Sequence, residues 1–430
     1  MTSPLRIGIV GLGTVGGGTL NILSQHAELL AARCGRPVVV SAISARSRGR
    51  DRGVDISRIR WLDDPLGMAS DPDIDVVVEL MGGAEGVARQ LVEQALLNGK
   101  SVVTANKALI AHHGIALAQM AEKTGAVLAF EAAVGGGIPI IKALRDGLAA
   151  NRFLRIAGIL NGTCNYILTT MWEHKRGFDE VLKEAQALGY AEAEPSFDVD
   201  GVDTAHKLAI LTSLAYGCAP AIDHMHVEGI RRISLRDMEF AAELGYVIKL
   251  LGITSHTEGG ILQRVHPCMV AADSPLASVH GVYNAVLAEG DAVGTVLFEG
   301  RGAGAGPTAS SVVADIMDIA RGVRYKPFTL PVAQLACLPF SGMDNLRCSY
   351  YLRLSVTDKP GVLAEVTGIF KDERISLRSF LQHSHQPGET VQLVLTTHDT
   401  QESAMLRAMA AIAALGSVKE EPHMIRIENI

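Results

Sequence analysis

The chain has few cysteines for its length, six in 430 residues, and no two of them form a CxxC pair. We therefore expect free thiols in a reducing compartment rather than a disulfide framework. The longest apolar run, 208–222, is interrupted by Gly217 and Pro220 and is too short to cross a bilayer. No signal-peptide pattern precedes the first predicted strand. These absences predict a soluble, cytoplasmic protein with no membrane partner.

Lysine and arginine form no basic cluster, and the formal net charge of −7 argues against a nucleic-acid partner. Apolar residues make up 48% of the chain, which excludes a disordered protein. The length allows two or three domains with large cores. The paired histidines lack cysteine or carboxylate partners at metal-ligand spacing, so we predict no transition-metal site. These pairs are His112 and His113, His224 and His226, and His383 and His385.

The first strand pattern runs directly into a glycine-rich turn. Residues 5–10 are mostly apolar, and Gly11, Gly13 and Gly16 follow before a helix pattern over 19–30. A parallel strand that turns tightly into a helix presents backbone N–H groups and the helix N-terminus to an anion. The first glycine permits the turn, the second lets phosphates approach, and the third lets helix and strand pack closely. The pattern predicts a dinucleotide site; the alternative is an ordinary glycine turn.

Continuous apolar strands alternate with helix patterns in the first third of the chain, which is typical of a parallel sheet covered on both faces. We predict an α/β cofactor domain of the doubly wound Rossmann type over 1–134. An α+β domain with an open sheet follows over 135–325. Its predicted helices include 178–188, 202–214 and 239–251.

The last part of the chain is predicted to form a separate, smaller unit. A proline-containing segment, 326–348, is the expected connection. Residues 350–356 alternate apolar and polar side chains, which indicates a half-buried strand. The patterns that follow complete a βαββαβ order over 349–430, which predicts a ferredoxin-like fold.

Arg46 stands where the second predicted strand ends. A site selective for NAD normally carries an acid there to bind the ribose 2′-hydroxyl. A guanidinium instead suits a 2′-phosphate, which it can bind in a bidentate way. We therefore predict a preference for NADP(H), with NAD(H) also possible; the alternative is a pair of arginines on a solvated loop.

Two lysines are candidates for chemistry. Lys107 follows a strand of the cofactor domain, and functional groups on such sheets gather at the carboxyl ends of the strands. Asp203 and Lys207 are four residues apart, so on a helix the carboxylate can orient the ammonium. The alternatives are a surface-loop lysine for Lys107 and an ordinary solvated ion pair for Asp203 and Lys207. Apolar residues directly after Lys207 favour a buried pair. A second glycine-rich run, 300–310, is either a flexible loop or a second backbone surface against the cofactor.

Together these pieces resemble homoserine dehydrogenase over nearly the whole chain, in the monofunctional form without a fused aspartate kinase. The tail resembles an ACT domain, whose loop at 358–363 contributes to an amino-acid effector site in relatives. The motifs occur in the order expected of the family. They are residues 11–16, 79–83, 103–107, 130–139, 158–166, 187–192, 198–207 and 302–310.

The resemblance implies the reversible, NAD(P)H-dependent reduction of L-aspartate 4-semialdehyde to L-homoserine in threonine, methionine and isoleucine biosynthesis. Hydride addition to the aldehyde makes an alkoxide, which needs a proton donor or a fixed positive charge beside it. The resemblance makes Lys207 the donor, oriented by Asp203, and places Lys107 near the nicotinamide; which lysine transfers the proton stays open. It also assigns the substrate amino group to Glu192, with Asp203 as a further substrate contact.

The resemblance further implies residues that hold the cofactor and a monovalent cation. Sodium is bound in the family through the backbone carbonyls of Glu131, Val134, Gly136 and Ile138. Residues near 300–320 are expected to return to the cofactor domain, and the domain over 135–325 to mediate dimerisation. The implied cofactor-binding residues are Gly11, Gly13, Thr14, Val15, Gly16, Arg46, Lys107, Gly189 and Gly304.

The implied partners are small molecules and further copies of the chain. The ACT tail implies an amino-acid effector, L-threonine, and relatives form a homodimer or homotetramer. Two positions depart from the family pattern. Phe197 stands where many relatives carry a polar residue, and Arg378 stands where ACT tails of this family often carry an acid, which weakens the assignment of threonine. Competing interpretations are a related semialdehyde dehydrogenase with another substrate and a non-catalytic amino-acid sensor.

Overall fold

The computed structural model describes residues 3–49, 51–382 and 390–430. His383 and His385 lie outside the described residues. The strands of the described residues form two sheets, one of six strands and one of eleven. Within the described part of the chain, no helix is both long and apolar enough to cross a membrane.

The first sheet has six parallel strands in the order β3-β2-β1-β4-β5-β6. Its central strands read as continuous apolar runs because helices cover both faces. This is the doubly wound arrangement expected from the sequence. The strands are β1 Leu5–Val10, β2 Val38–Ser44, β3 Arg60–Trp61, β4 Val76–Glu79, β5 Ser101–Thr104 and β6 Leu128–Ala129. The helices are α1 Thr14–Gln25, α2 Ala27–Cys34, α3 Val87–Leu97 and α4 Lys107–Thr124.

The predicted helix over 19–30 is wrong in its bounds. Helix α1 begins earlier, at Thr14, and the chain breaks at His26 before α2. Glycines 16–18 lower the helix propensity of this segment, so the sequence pattern did not predict the first turn of α1. Packing overrides that propensity, because a Cβ at Gly18 would lie 2.4 Å from the carbonyl oxygen of Ala305 on a neighbouring helix.

The middle of the chain forms a mainly antiparallel sheet covered by helices, in which the short β8 pairs in parallel. Its strands follow the order β12-β11-β7-β9-β10, and β8 pairs with β10. The strands are β7 Phe153–Ile159, β8 Met225–Val227, β9 Tyr246–Thr257, β10 Gly260–Ala271, β11 Tyr283–Gly290 and β12 Gly294–Arg301. The helices are α5 Ile140–Lys142, α6 Gly162–His174, α7 Phe178–Ala187, α8 Ser196–Val199, α9 Val202–Tyr216, α10 Leu235–Glu243 and α11 Ala305–Ala320.

The predicted helix over 239–251 is also wrong. Helix α10 ends at Glu243, and residues from Tyr246 onward form β9. Gly245, with a φ of 83°, separates the two elements. The apolar run that follows fits a buried strand and a buried helix equally well by periodicity, and pairing with β10 along its whole length selects the strand.

The tail has the predicted βαββαβ order, with antiparallel strands arranged β17-β13-β15-β14. Although it was expected as a separate unit, β17 pairs in parallel with β10, so one sheet continues from the middle of the chain into the tail. The strands are β13 Arg347–Thr357, β14 Leu377–Gln382, β15 Thr390–Thr397, β16 Thr400–Gln401 and β17 His423–Glu428, and the helices are α12 Val362–Asp372 and α13 Glu402–Ala413.

Candidate active site

The turn between β1 and α1 has the geometry that a dinucleotide needs. Gly11 has a φ of 91°, and a Cβ there would lie 2.5 Å from the carbonyl oxygen of Leu80. A Cβ at Gly16 would lie 2.1 Å from the carbonyl oxygen of Gly11. Gly13, by contrast, faces open space, and α1 begins at Thr14 directly after it. The backbone is therefore tight behind the turn and open in front of the helix N-terminus, where an anion fits.

A cavity of about 370 Å³ lies at this turn and is lined by residues including Thr14 and Arg52. Arg46 is exposed beyond the end of β2. Arg52, which the sequence analysis did not single out, donates hydrogen bonds to the carbonyls of Ser47 and Arg48, and its guanidinium lies 5.7 Å from the Trp61 ring centroid. The only sequence signal for Arg52 was its place in the arginine-rich stretch after β2.

The close contact at Gly16 carries a testable consequence. We expect Gly16→Ala to weaken NADPH binding about tenfold or more and to lower the melting temperature, because the added methyl would force α1 away from the turn. Fluorescence titration with NADPH and thermal melts measure both effects. Gly368→Ala is the matched control, since a Cβ at this position in α12 meets nothing within 4 Å. An unchanged NADPH affinity in Gly16→Ala would contradict this role of the glycine.

Lys107 is positioned at the carboxyl edge of the parallel sheet. The Glu79 carboxylate, fully buried at the end of β4, accepts hydrogen bonds from the backbone N–H of Met81 and from the Thr104 hydroxyl, both at 2.7 Å. Asn106 caps α4 by accepting from the N–H of Leu109 at 3.1 Å. Lys107 is the first residue of that helix. These contacts fix the loop between β5 and α4, and with it the lysine.

Asp203 joins the two candidate lysines. Its Oδ1 lies 2.8 Å from Nζ of Lys107, and its Oδ2 lies 2.6 Å from Nζ of Lys207. Lys207 also donates to the carbonyl oxygen of Leu160 at 2.7 Å. The side chains of Asp203 and Lys207 are 3% and 11% exposed, whereas that of Lys107 is 34% exposed. The pair on α9 is therefore buried, and Lys107 lies between it and solvent.

The charges of this group support one another. Burial alone would raise the pKa of Asp203. The two ammonium groups outweigh burial, with Lys207 contributing more than Lys107, and hold the pKa of Asp203 well below its usual range. Burial likewise opposes the charge of Lys107, and the Asp203 carboxylate outweighs it and raises the pKa of Lys107. Asp203 is therefore ionised and Lys107 protonated at neutral pH. The site presents fixed positive charge beside a buried carboxylate.

Asn161 is a site residue that the sequence analysis missed. Its Nδ2 donates to Asp198 at 2.8 Å and to Asp203 at 2.9 Å, while its Oδ1 accepts from the N–H of Cys164 and caps α6. Burial, followed by the charge of Asp203, raises the pKa of Asp198. Asn161 thus separates two carboxylates that would otherwise repel each other. Its sequence signal was the helix-capping pattern ahead of α6.

The remaining residues implied by the resemblance lie on several separate elements. Glu192 is exposed, and its carboxylate acts electrostatically on Lys107 without a direct contact between them among the described residues. Gly189 is exposed after α7, with a φ of 74°. Gly304 precedes α11, and that helix packs against α1. Arg46 is not among the described residues that line the cavity at the turn.

The loop after β6 holds the carbonyls implied for sodium. All four residues, Glu131, Val134, Gly136 and Ile138, are buried. The Gly136 carbonyl accepts from the Ser311 hydroxyl at 2.6 Å, and the Ile138 carbonyl accepts from the N–H of Ile140 at 2.8 Å. Each oxygen keeps a second lone pair. Burial, and then the neighbouring Asp315, raises the pKa of the Glu131 carboxyl to about 7. Backbone carbonyls are neutral oxygen donors, which suit a hard cation such as sodium. The four buried residues of this loop therefore fit the ion that the resemblance implies.

One cluster of possible metal ligands lies elsewhere, where β10 meets β17. His266, Cys268 and Glu428 each bring one ligand atom within 4.8 Å of the others. The sequence analysis did not find it because the two strands are far apart in the chain. Arg264 donates three hydrogen bonds to Glu428, at 2.9, 3.0 and 3.2 Å, and so neutralises that carboxylate. The cluster is therefore a buried ion pair between the middle domain and the tail, and we assign no metal to it.

Comparison with known proteins agrees with this geometry. The model described as "Homoserine dehydrogenase, NAD binding domain" matches residues 11–131, and "Homoserine dehydrogenase" matches residues 139–317. The model described as "ACT domain" matches residues 350–416. These three matches cover most of the chain.

Full-length relatives give the same result. The homoserine dehydrogenase of Neisseria gonorrhoeae is 46% identical over 433 residues, which are 99% of each chain. The crystal structure of a homoserine dehydrogenase from Thiobacillus denitrificans matches with a TM-score of 0.94 at 46% identity, over 99% of this chain and 98% of that chain. A hyperthermophilic archaeal homoserine dehydrogenase in complex with NADPH matches with a TM-score of 0.64 at 29% identity, over 75% of this chain and 99% of that chain. The chain belongs to the homoserine dehydrogenase family and is an oxidoreductase with an NAD(P)-binding domain and a C-terminal ACT domain.

Proposed function

We propose that this chain reduces L-aspartate 4-semialdehyde to L-homoserine, and catalyses the reverse oxidation, in threonine, methionine and isoleucine biosynthesis. The observation that carries the proposal is the pair of lysines on one buried carboxylate, with Nζ atoms 2.8 and 2.6 Å from Asp203. This group lies beside the carboxyl edge of the cofactor-binding sheet. Two ammonium groups there supply the positive charge and the proton that carbonyl reduction needs.

Lys207 is the proposed proton donor. Bound NADPH supplies the hydride. The aldehyde oxygen then becomes an alkoxide, and the Lys207 ammonium gives it a proton while Asp203 holds the nitrogen in place. The Leu160 carbonyl takes a second Lys207 hydrogen and leaves the third for the substrate. Lys107, on the solvent side of the same carboxylate, stabilises the developing negative charge.

Glu192 and Asp203 are the proposed contacts for the rest of the substrate. Glu192 is exposed at the mouth of the site, so its carboxylate is free to bind the α-amino group of an incoming substrate. Asp203 already forms ion pairs with both lysines, and it would contact the substrate while keeping these two ion pairs. Binding the amino group would distinguish aspartate 4-semialdehyde from aldehydes that lack it.

The cofactor residues are proposed from the shape of the turn and from the resemblance. Gly11 and Gly16 keep the turn tight, and Gly13 leaves room for the pyrophosphate. Thr14 and Val15 begin α1 and supply N–H groups at its N-terminus. Lys107, Gly189 and Gly304 are proposed to border the other end of the cofactor. Arg46 is proposed to bind the 2′-phosphate, which gives the preference for NADP(H) over NAD(H).

Three further assignments complete the proposal. A sodium ion is held by the carbonyls of the loop between Glu131 and Ile138 and stiffens the junction of the two catalytic domains. L-threonine binds the ACT domain and inhibits the enzyme. The chain assembles as a homodimer or homotetramer. The continuous pairing of β10 with β17 supports a regulatory role for the tail, because a change in the ACT domain has a direct route to the central sheet.

The direct test is NADPH oxidation in the presence of an aldehyde, followed by the fall in NADPH absorbance. We expect rapid turnover with L-aspartate 4-semialdehyde and slow turnover with succinate semialdehyde, which has the same chain length but no amino group. NADH should give a lower kcat/KM than NADPH, and millimolar L-threonine should reduce the rate. A better rate with succinate semialdehyde would overturn the substrate assignment, and an unchanged rate with threonine would overturn the effector assignment.

A further inference from the structure

Three aromatic rings from three different helices meet beside the catalytic lysines. Phe197 of α8 contacts His206 of α9, with ring centroids 5.4 Å apart and planes at 71°. His206 contacts His112 of α4, with centroids 5.0 Å apart and planes at 86°. Both contacts have the edge-to-face geometry that aromatic pairs prefer. The rings therefore tie together the helices that carry Lys107 and Asp203.

Phe197 also faces Lys107. The Lys107 ammonium lies 5.6 Å from the centroid of the Phe197 ring, and the same nitrogen lies 2.8 Å from Oδ1 of Asp203. A cation over the face of an aromatic ring is attracted by the negative charge of that face. Phe197 is 42% exposed, so the ring forms the outer wall of the site. Lys107 has no other ring or carboxylate contact among the described residues.

His206 supports the ring without adding charge. Burial first, and then His112, lowers the pKa of His206 to about 4, so its imidazole is neutral at physiological pH. Its Nδ1 has no hydrogen-bond partner within the described ranges of the chain. A charged imidazole here would repel both lysines. The neutral ring instead packs edge-to-face against Phe197.

We infer that Phe197 is a positioning residue for Lys107: its ring holds the ammonium against Asp203 and aims it at the reacting oxygen. This inference rests on the role of Lys107 in the proposed function. The charged groups that act on Lys107 are Asp203 on α9, Asp198 on α8 and Glu192 in the loop before α8. His206 on α9 interacts electrostatically with both Lys107 and Lys207. The Phe197 ring adds an uncharged contact to these charged groups.

The test compares Phe197→Leu with Phe197→Trp. Leucine keeps apolar bulk but has no aromatic face, so we expect kcat to fall about three- to tenfold and the pKa of Lys107 to fall by about 0.5 unit. Tryptophan, which attracts cations most strongly, should keep kcat within about twofold of the unaltered enzyme. The pH dependence of Lys107 labelling by acetic anhydride, read by mass spectrometry without cofactor, reports the lysine pKa independently of turnover.

Phe380→Leu is the matched control, because it makes the same change at a phenylalanine that is 56% exposed on β14 of the tail. Melting temperatures check that each variant is folded. The inference is overturned if the leucine and tryptophan variants behave alike in kcat and in labelling. Lys107→Met distinguishes this outcome from failure of the proposed function: if that variant keeps full activity, the role of Lys107 is wrong. If it is inactive while Phe197→Leu is normal, only the inference about Phe197 fails.

Discussion

Lys207→Met should lower kcat by about two to four orders of magnitude while leaving the NADPH dissociation constant within about threefold of its original value. The methionine keeps the length of the side chain and removes the proton and the charge. The neighbouring Asp203 stays bound to Lys107 and Asn161, so the carboxylate is not left unpaired. The loss should therefore be in turnover rather than in folding. Steady-state assays, NADPH fluorescence titration and thermal melts separate these effects.

Lys183→Met is the matched control, because Lys183 is exposed on α7 and has no part in the site. It should leave kcat, NADPH binding and melting temperature unchanged. Near-normal turnover by Lys207→Met would show that Lys207 is not the proton donor.

Lys107→Met addresses the second lysine in the same way. If Lys207 donates the proton, Lys107→Met should lower kcat by less than Lys207→Met does. Because Asp203 raises the pKa of Lys107, any decline in the rate of the unaltered enzyme that is due to Lys107 is displaced to higher pH than for an unpaired lysine. If Lys107→Met lowers kcat more than Lys207→Met does, Lys107 is the proton donor and Lys207 the residue that stabilises the negative charge.

The cofactor half of the molecule could be derived from the sequence because its signals are local. The strand before Gly11 and the turn after it are contiguous in the chain, and steric limits on the backbone leave few ways to build them. The order of the ACT elements could be derived for the same reason, since each strand and helix shows its own period. The wrong helix bounds arose where tertiary packing determines the secondary structure. In α1, glycine lowers the helix propensity but allows the close approach of α11.

The active site could be derived only in part. Lys107 and Lys207 are far apart in the chain, and no spacing rule relates them. Their shared carboxylate became visible once α4 and α9 were packed together. Asn161 was hidden because a helix-capping asparagine has the same sequence signal whether or not its amide also binds two carboxylates. The pairing of β10 with β17 gives no sequence signal at all, because both strands read as ordinary buried strands.

Asp203→Asn should cause the second large loss of activity, together with a loss of stability. Asparagine keeps the shape of the side chain but removes the charge that both lysines share. Leaving the buried Lys207 without its carboxylate destabilises the fold by about 3 to 5 kcal/mol, whereas the partly exposed Lys107 contributes little to this loss. The melting temperature should fall, the pKa of Lys107 should drop because its main opposing charge is gone, and kcat should fall by at least about two orders of magnitude. Asp344→Asn, at an exposed position in the segment before β13, is the matched control.

The most direct measurement is the initial rate of NADPH oxidation with L-aspartate 4-semialdehyde, for the unaltered enzyme and for Asp203→Asn, at a temperature where both are folded. We expect rapid oxidation by the unaltered enzyme and a rate at least about a hundredfold lower in the variant, with NADPH still bound by both. Equal rates would contradict the central claim that one buried carboxylate organises both lysines for catalysis. No oxidation by the unaltered enzyme would contradict the proposed reaction itself.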